Sequence, residues 1–166
     1  VYELEAPGPN PDRQEAPHPH QAIVDPTGSF ILTPDLGADL VRIHAVDPSG
    51  TLAVTAVEPL AVPPGSGPRH AAFAVQGDKT FFYVVNELAN TILGYAVTYG
   101  KDPVSLGFEQ VYESGTHGEG GTVPPTAGAA EIVVSVSVKS QLHSPINILR
   151  IVRVAPAAIV PKLKGS

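Results

Sequence analysis

His18-Pro19-His20-Gln21, Asp25-Pro26-Thr27-Gly28, Asp35-Leu36-Gly37-Ala38-Asp39 and Asp47-Pro48-Ser49-Gly50 punctuate a stretch, His18 to Val57, that the chain writes twice. The second copy, Gly67 to Tyr112, opens Gly67-Pro68-Arg69-His70, passes Gln76-Gly77-Asp78 and Asn86-Glu87-Leu88-Ala89-Asn90, and closes near Gly100. Setting His20 on His70 gives a shift of 50, and setting Asp35 on Asn86 gives 51. Repeats of roughly 40–50 residues built from four strands are what a propeller blade requires. The expected fold is therefore all-β, a partial β-propeller with about two four-stranded blades and the start of a third.

Working outward from the repeat, the first copy reads as strands over Gln21–Val24, Ser29–Thr33, Leu40–Val46 and Thr51–Val57, joined by Asp-Pro and Asp-Gly turn chemistry. The second reads as Ala71–Ala74, Thr80–Val85, Thr91–Val97 and Leu106–Tyr112. The run Phe81-Phe82-Tyr83-Val84-Val85 does not alternate with polar residues, which suits a strand covered on both faces. Residues 1–17, rich in proline, read as an extended lead-in, and 18–135 as the partial propeller. A Gly/Pro-rich loop, Ser114 to Gly128, leads to Glu131-Ile132-Val133-Val134, the expected opening of the third blade.

From 136 to 166 the pattern changes. All sixteen acidic residues lie at or before Glu131, while five of the ten basic residues lie beyond it. This divergent tail is expected to be foreign to the repeat, joined through an unspliced intron or frameshift, with a genuine strand-forming extension as the other reading.

Composition limits the function classes. A net charge of -6 opposes binding to a phosphate backbone, so no nucleic-acid partner is expected. The most apolar window, Ile146 to Val160, is interrupted by Asn147, Arg150, Arg153 and Pro156, so no membrane partner is expected either. The absence of cysteine excludes disulfides and thiolate metal sites and leaves the compartment open.

In a blade the start of the first strand and the end of the second emerge at the same mouth. His18, His20, Asp35 and Asp39 are therefore expected to meet Arg69, His70, Asn86 and Glu87, with Glu131 from the third blade. Acids, imidazoles and a guanidinium gathered in a concavity are the usual setting for acid–base work. Arg69, after Gly-Ser-Gly-Pro, suits a carboxylate clamp or a bond to a neighbouring blade's carbonyl. Glu87 could act as a base or pair with Arg69. Asp35 and Asp39 are expected to cap their own turn. His18 and His20 could cap the strand start, serve catalysis, or, at i and i+2 of an extended segment, ligate a metal.

Taken together, Arg13-Gln14, His18-Pro19-His20-Gln21, Asp25-Pro26-Thr27-Gly28, Pro34 to Asp39, Pro64 to His70 and Asn86-Glu87-Leu88 resemble the motifs of the seven-bladed lactonase propellers, the family of 6-phosphogluconolactonase and fungal carboxy-cis,cis-muconate cyclase. The resemblance covers about residues 10 to 132. It implies an enzyme without metal or other cofactor, acting on a small carboxylate-bearing lactone by hydrolysis or on a muconate by cycloisomerisation. The residues it implicates are His20 for proton transfer, Arg69 for a substrate carboxylate or oxyanion, and Glu87 to orient them, with His18 and His70 as substrate-binding residues. Family members have seven blades, and their Ser-Asn-Arg segment, source of another site arginine, has no counterpart after Ser135. The expectation is thus an incomplete chain, with a non-catalytic binding or structural module as the alternative.

Overall fold

The structure, a computed structural model, describes residues 2–4, 6–51, 53–101, 104–118, 120–134 and 149–153. The first sheet contains β1 (Ile23–Val24), β2 (Phe30–Asp35), β3 (Leu40–Val46) and β4 (Val54–Ala61), paired antiparallel in chain order. The second contains β5 (Pro68–Gln76), β6 (Lys79–Asn86), β7 (Thr91–Lys101) and β8 (Val104–Gly115), in the same order. A third sheet pairs β9 (Glu131–Val134) with β10 (Leu149–Arg153). The fold is all-β, two four-stranded blades and part of another, with no helix among the described residues.

Strand existence and order follow the sequence reading, but the bounds differ. The second-blade strands run longer than the turn residues suggest, to Lys101 in β7 and Gly115 in β8, because a long ladder joins them across Gly100↔Ser105. The last strand of the first blade begins at Val54 and extends to Ala61, through Pro59. Proline is tolerated there because β4 is an edge strand. In the tail, β10 pairs with β9 through Leu149↔Val134 and Arg150↔Val133. Residues 135–148 and 154–166, including the position expected for a Ser-Asn-Arg segment, lie outside the described residues.

The two blades pack face to face. Phe30, Leu32, Val41 and Ile43 of the first meet Phe82, Val84, Leu93, Tyr95 and Val97 of the second in one buried cluster. Tyr83, Val85 and Ile92 point to the opposite side and join Ala129 and Ile132 in a second cluster. Successive side chains of a strand alternate between faces, so a strand buried on both must be apolar throughout. That is why β6 reads as an unbroken apolar run.

The lead-in does not run straight. Gly8 N–H donates to the Gln14 carbonyl at 2.9 Å and Gln14 N–H to the Asn10 carbonyl at 2.7 Å, so residues 8–14 turn back on themselves. The chain then extends along the end of β2, where Leu36 N–H donates to the His18 carbonyl and His20 N–H to the Pro34 carbonyl.

Phe82 is fully buried between the blades, against Phe73 and Phe108. Phe82→Ala is expected to lower unfolding free energy by about 3–5 kcal/mol through lost transfer energy and a residual cavity. Denaturant unfolding followed by circular dichroism measures it, and a loss below about 1 kcal/mol would contradict this inter-blade core.

Candidate active site

Equivalent turns position the site. Asp35-Leu36-Gly37-Ala38-Asp39 follows β2, and Asn86-Glu87-Leu88-Ala89-Asn90 follows β6 at the same place in the repeat. Both end on a non-glycine residue in the left-handed region, Asp39 at φ 52° and Asn90 at φ 53°, which Asp and Asn tolerate better than most side chains. By this equivalence the first copy has buried Leu36 where the second has Glu87, itself 4% exposed.

Glu87 is held by two guanidiniums. Arg13 Nη2 lies 2.6 Å from its Oε1, and Arg69 Nε lies 2.9 Å from its Oε2. Such bonds between ionised partners satisfy a buried carboxylate that would otherwise be costly to keep charged. Arg69 belongs to β5 where the β5–β6 register shifts between Pro68 and His70, and a bulge is a means of re-aiming a side chain. Its Nη1 also donates to the Ala130 carbonyl at 2.6 Å. Both roles foreseen for Arg69 as a binding partner inside the protein, Glu87 and a neighbouring carbonyl, are therefore present at once.

Arg13 is the residue that sequence reasoning missed as part of the cluster. Its sequence neighbours Asp12 and Glu15 are the acids a local reading offers it, whereas its partner Glu87 lies 74 positions away. The adjacent Gln14 is the local clue. It is completely buried, donates to the Leu36 carbonyl at 2.9 Å and accepts from Asn10 N–H at 3.1 Å.

The acids of the first turn do not cap it with their carboxylates. Asp35 accepts from the backbone N–H of His18 at 2.7 Å and from Arg42 Nε at 2.7 Å. Asp39 accepts from Gly65 N–H at 2.6 Å and Gly67 N–H at 2.8 Å, fixing the loop that delivers Arg69. These backbone donors are partly or wholly withdrawn from water, where an N–H left without an acceptor is costly, so the carboxylates serve them in preference to the local turn. Two glycines make these approaches possible. A Cβ on Gly37 would collide with the Ala16 carbonyl, and Gly67 sits at φ 62° against Leu88.

The imidazoles divide. His70 bridges Arg69 Nη1, at 3.3 Å from its Nε2, and Glu131 Oε2, at 2.9 Å from its Nδ1, so both ring nitrogens are engaged. Asn86 is buried and donates to Thr91 Oγ1. His18 lies 3.0 Å from Glu15 through Nε2. His20 shares an open cleft of about 190 Å³ with Asp12, Arg13, Glu15, His18 and Leu36. Gln21 donates nothing to the cleft; its side-chain oxygen accepts from Ala71 N–H at 2.7 Å and ties the first blade to β5.

The proton affinity of His20 is lowered from the ordinary 6.5, first by partial removal of its ring from water and next by the Arg69 charge. Glu87 works in the opposite direction, and His70 and His18 add to the lowering. The ring is therefore mainly neutral near pH 7 and can accept a proton.

Comparison with known proteins agrees with this architecture. Residues 1–153 match the sequence profile of the family described as Lactonase, 7-bladed beta-propeller. The chain belongs to the seven-bladed β-propeller lactonase family. The match extends beyond the 10–132 segment that carries the motif resemblance, through β10. A protein of Arthroderma benhamiae named probable 6-phosphogluconolactonase is 41% identical over 140 residues, covering 84% of this chain and 34% of the relative. The 6-phosphogluconolactonase of Serratia proteamaculans is 39% identical over 80 residues, 48% of this chain and 24% of that protein. Among solved structures, the periplasmic gluconolactonase of Pseudomonas aeruginosa aligns with a TM-score of 0.59 and 27% identity, covering 74% of this chain and 32% of that one. The chain thus spans about a third of the length of the first of these relatives.

Because Glu87 raises the proton affinity of His20, Glu87→Gln is expected to lower it further. An NMR titration of the His20 ring should show a midpoint below 6.5 in the natural chain and a lower one in the variant. The unfolded chain binds this proton more readily, so the His20 contribution to stability is lost as pH falls through the unfolded value toward the folded one. A midpoint that rises in Glu87→Gln would contradict the arrangement.

Proposed function

We propose that this chain carries the proton-transfer corner of a lactonase that opens a sugar lactone, of the 6-phosphogluconolactonase type. The observation that supports this most is a buried carboxylate clasped by two guanidiniums beside a cleft holding a largely neutral imidazole. In the proposed reaction a water oxygen adds to the lactone carbonyl carbon while His20 takes the water's proton. The carbonyl oxygen gains negative charge, which a guanidinium of the Arg13–Glu87–Arg69 cluster offsets. The ring C–O bond then breaks, the His20 proton passes to the departing alkoxide oxygen, and the carbonyl re-forms as a carboxylic acid. Glu87, with both oxygens committed to arginines, orients rather than accepts a proton. His18 lines the path of the substrate, and His70 holds Arg69 and Glu131.

The cleft acids favour a sugar lactone over a muconate. Asp12 and Glu15 stand in the same wall as Arg13. Carboxylates accept hydrogen bonds from the hydroxyls of a sugar lactone, which a muconate does not carry. Cycloisomerisation of a carboxymuconate is therefore the second reading.

The purified chain is expected to open glucono-δ-lactone or its 6-phosphate faster than buffer does, with His20→Ala losing about 10²–10⁴-fold, the range for a general base. A pH-indicator assay reads the acid released. No rate above buffer, or a rate untouched by His20→Ala, would refute the proposal, and consumption of carboxymuconate alone would favour the second reading.

A further inference from the structure

We propose that Glu131 and His70 work as a positioning pair, a carboxylate and an imidazole in series that fix the ring's tautomer and through it the plane of Arg69. The kinetic consequence rests on the lactone reading above. The chemistry of the three groups dictates where the proton sits. A guanidinium only donates, so His70 Nε2, 3.3 Å from Arg69 Nη1, meets it with a lone pair. A neutral imidazole with a bare Nε2 carries its proton on Nδ1, which then donates to Glu131 Oε2 at 2.9 Å. An ionised carboxylate is a strong acceptor for that bond. The carboxylate is itself held, because Glu131 Oε1 accepts from Ile132 N–H at 3.0 Å and each oxygen thus has a set partner.

Arg69 is thereby braced by three partners. Its Nε lies 2.9 Å from Glu87 Oε2, and its Nη1 meets both the Ala130 carbonyl, at 2.6 Å, and His70 Nε2. Among the described residues Nη2 has no hydrogen-bond partner, so that edge is free for developing negative charge. In a regular strand Arg69 and His70 would point to opposite faces. The register irregularity between Pro68 and His70 is where both come to reach the start of β9, Arg69 at Ala130 and His70 at Glu131. The Glu131–His70 contact therefore also keeps the Ala130 carbonyl beside Nη1. The Glu131 side chain is 44% exposed and is not part of the cleft wall, so it acts through His70 and not on the substrate. A guanidinium out of alignment still attracts substrate but offsets the charge of the transition state less well, which places the loss on kcat.

The test reads the His70 ring directly. Heteronuclear NMR of the ring nitrogens in the 166-residue chain, at a pH where the ring is neutral, is expected to show a protonated Nδ1 and a bare Nε2. Glu131→Ala removes the acceptor and should give a mixture of both tautomers, whereas Glu131→Gln keeps a carbonyl oxygen for Nδ1–H and should retain the natural one. In glucono-δ-lactone hydrolysis, with circular dichroism confirming the fold, Glu131→Ala is expected to lose about tenfold or more in kcat with little change in KM, and Glu131→Gln to restore most of it. A proton on Nε2 in the natural chain, or an unchanged tautomer in Glu131→Ala, overturns the pair. So does a folded Glu131→Ala with a smaller loss in kcat, or a loss that lies in KM alone. Should that variant fail to fold, the tautomer of the natural chain remains decisive. A natural chain that hydrolyses no lactone overturns the lactone reading instead, and the tautomer measurements then decide the pair on their own.

Discussion

The Glu87 carboxylate is the constraint on which the site depends. It is nearly withdrawn from water, and an ionised carboxylate in such a place needs partners for its lone pairs. Those partners come from two remote parts of the chain, Arg13 in the lead-in and Arg69 on β5. Through Arg69 the same cluster reaches the Ala130 backbone, immediately before β9. One side chain thus draws the lead-in, the second blade and the third toward a single point. Removing either arginine would leave a buried charge short of a partner, so the segments cannot shift independently without loss.

A second layer of contacts holds that cluster in place. Asp39 ties down the Gly65–Gly67 loop just before Arg69, and Asp35 binds the backbone of His18 just before His20. Each acid sits at the end of a strand in one blade and fixes a segment that presents a side chain to the site. The first blade therefore contributes less chemistry than geometry. The Arg42 guanidinium, bonded to Asp35 and lying 4.1 Å from the Tyr2 ring centroid, extends the same bracing to the chain's first residues.

Much of this was legible in the sequence. The doubled stretch, its spacing and the unbroken apolar run at β6 specify blades, because strand alternation and turn chemistry are local properties. The proximity of His20, Arg69 and Glu87 follows from blade topology alone. What could not be read was the allocation of partners. Nothing local tells whether Asp35 binds its own turn or the backbone of His18, seventeen positions earlier. Arg13 was hidden for the same reason, and the bulge that redirects Arg69 is a register event that no residue type announces. The strand ends of the second blade were underestimated because their length is set by pairing between β7 and β8, not by propensity within either.

The chain order of the strands has a kinetic consequence. Every strand within the two full blades pairs with its sequence neighbour, so each sheet can form by successive hairpins with short loops to close. The Arg13–Glu87 contact instead spans 74 positions, and contacts between distant parts of a chain form late in folding. The scaffold would be built before the acid is clasped. The same ordering makes the lead-in the segment able to detach with the least disruption, so transient opening should begin at the cleft while the paired sheets stay closed.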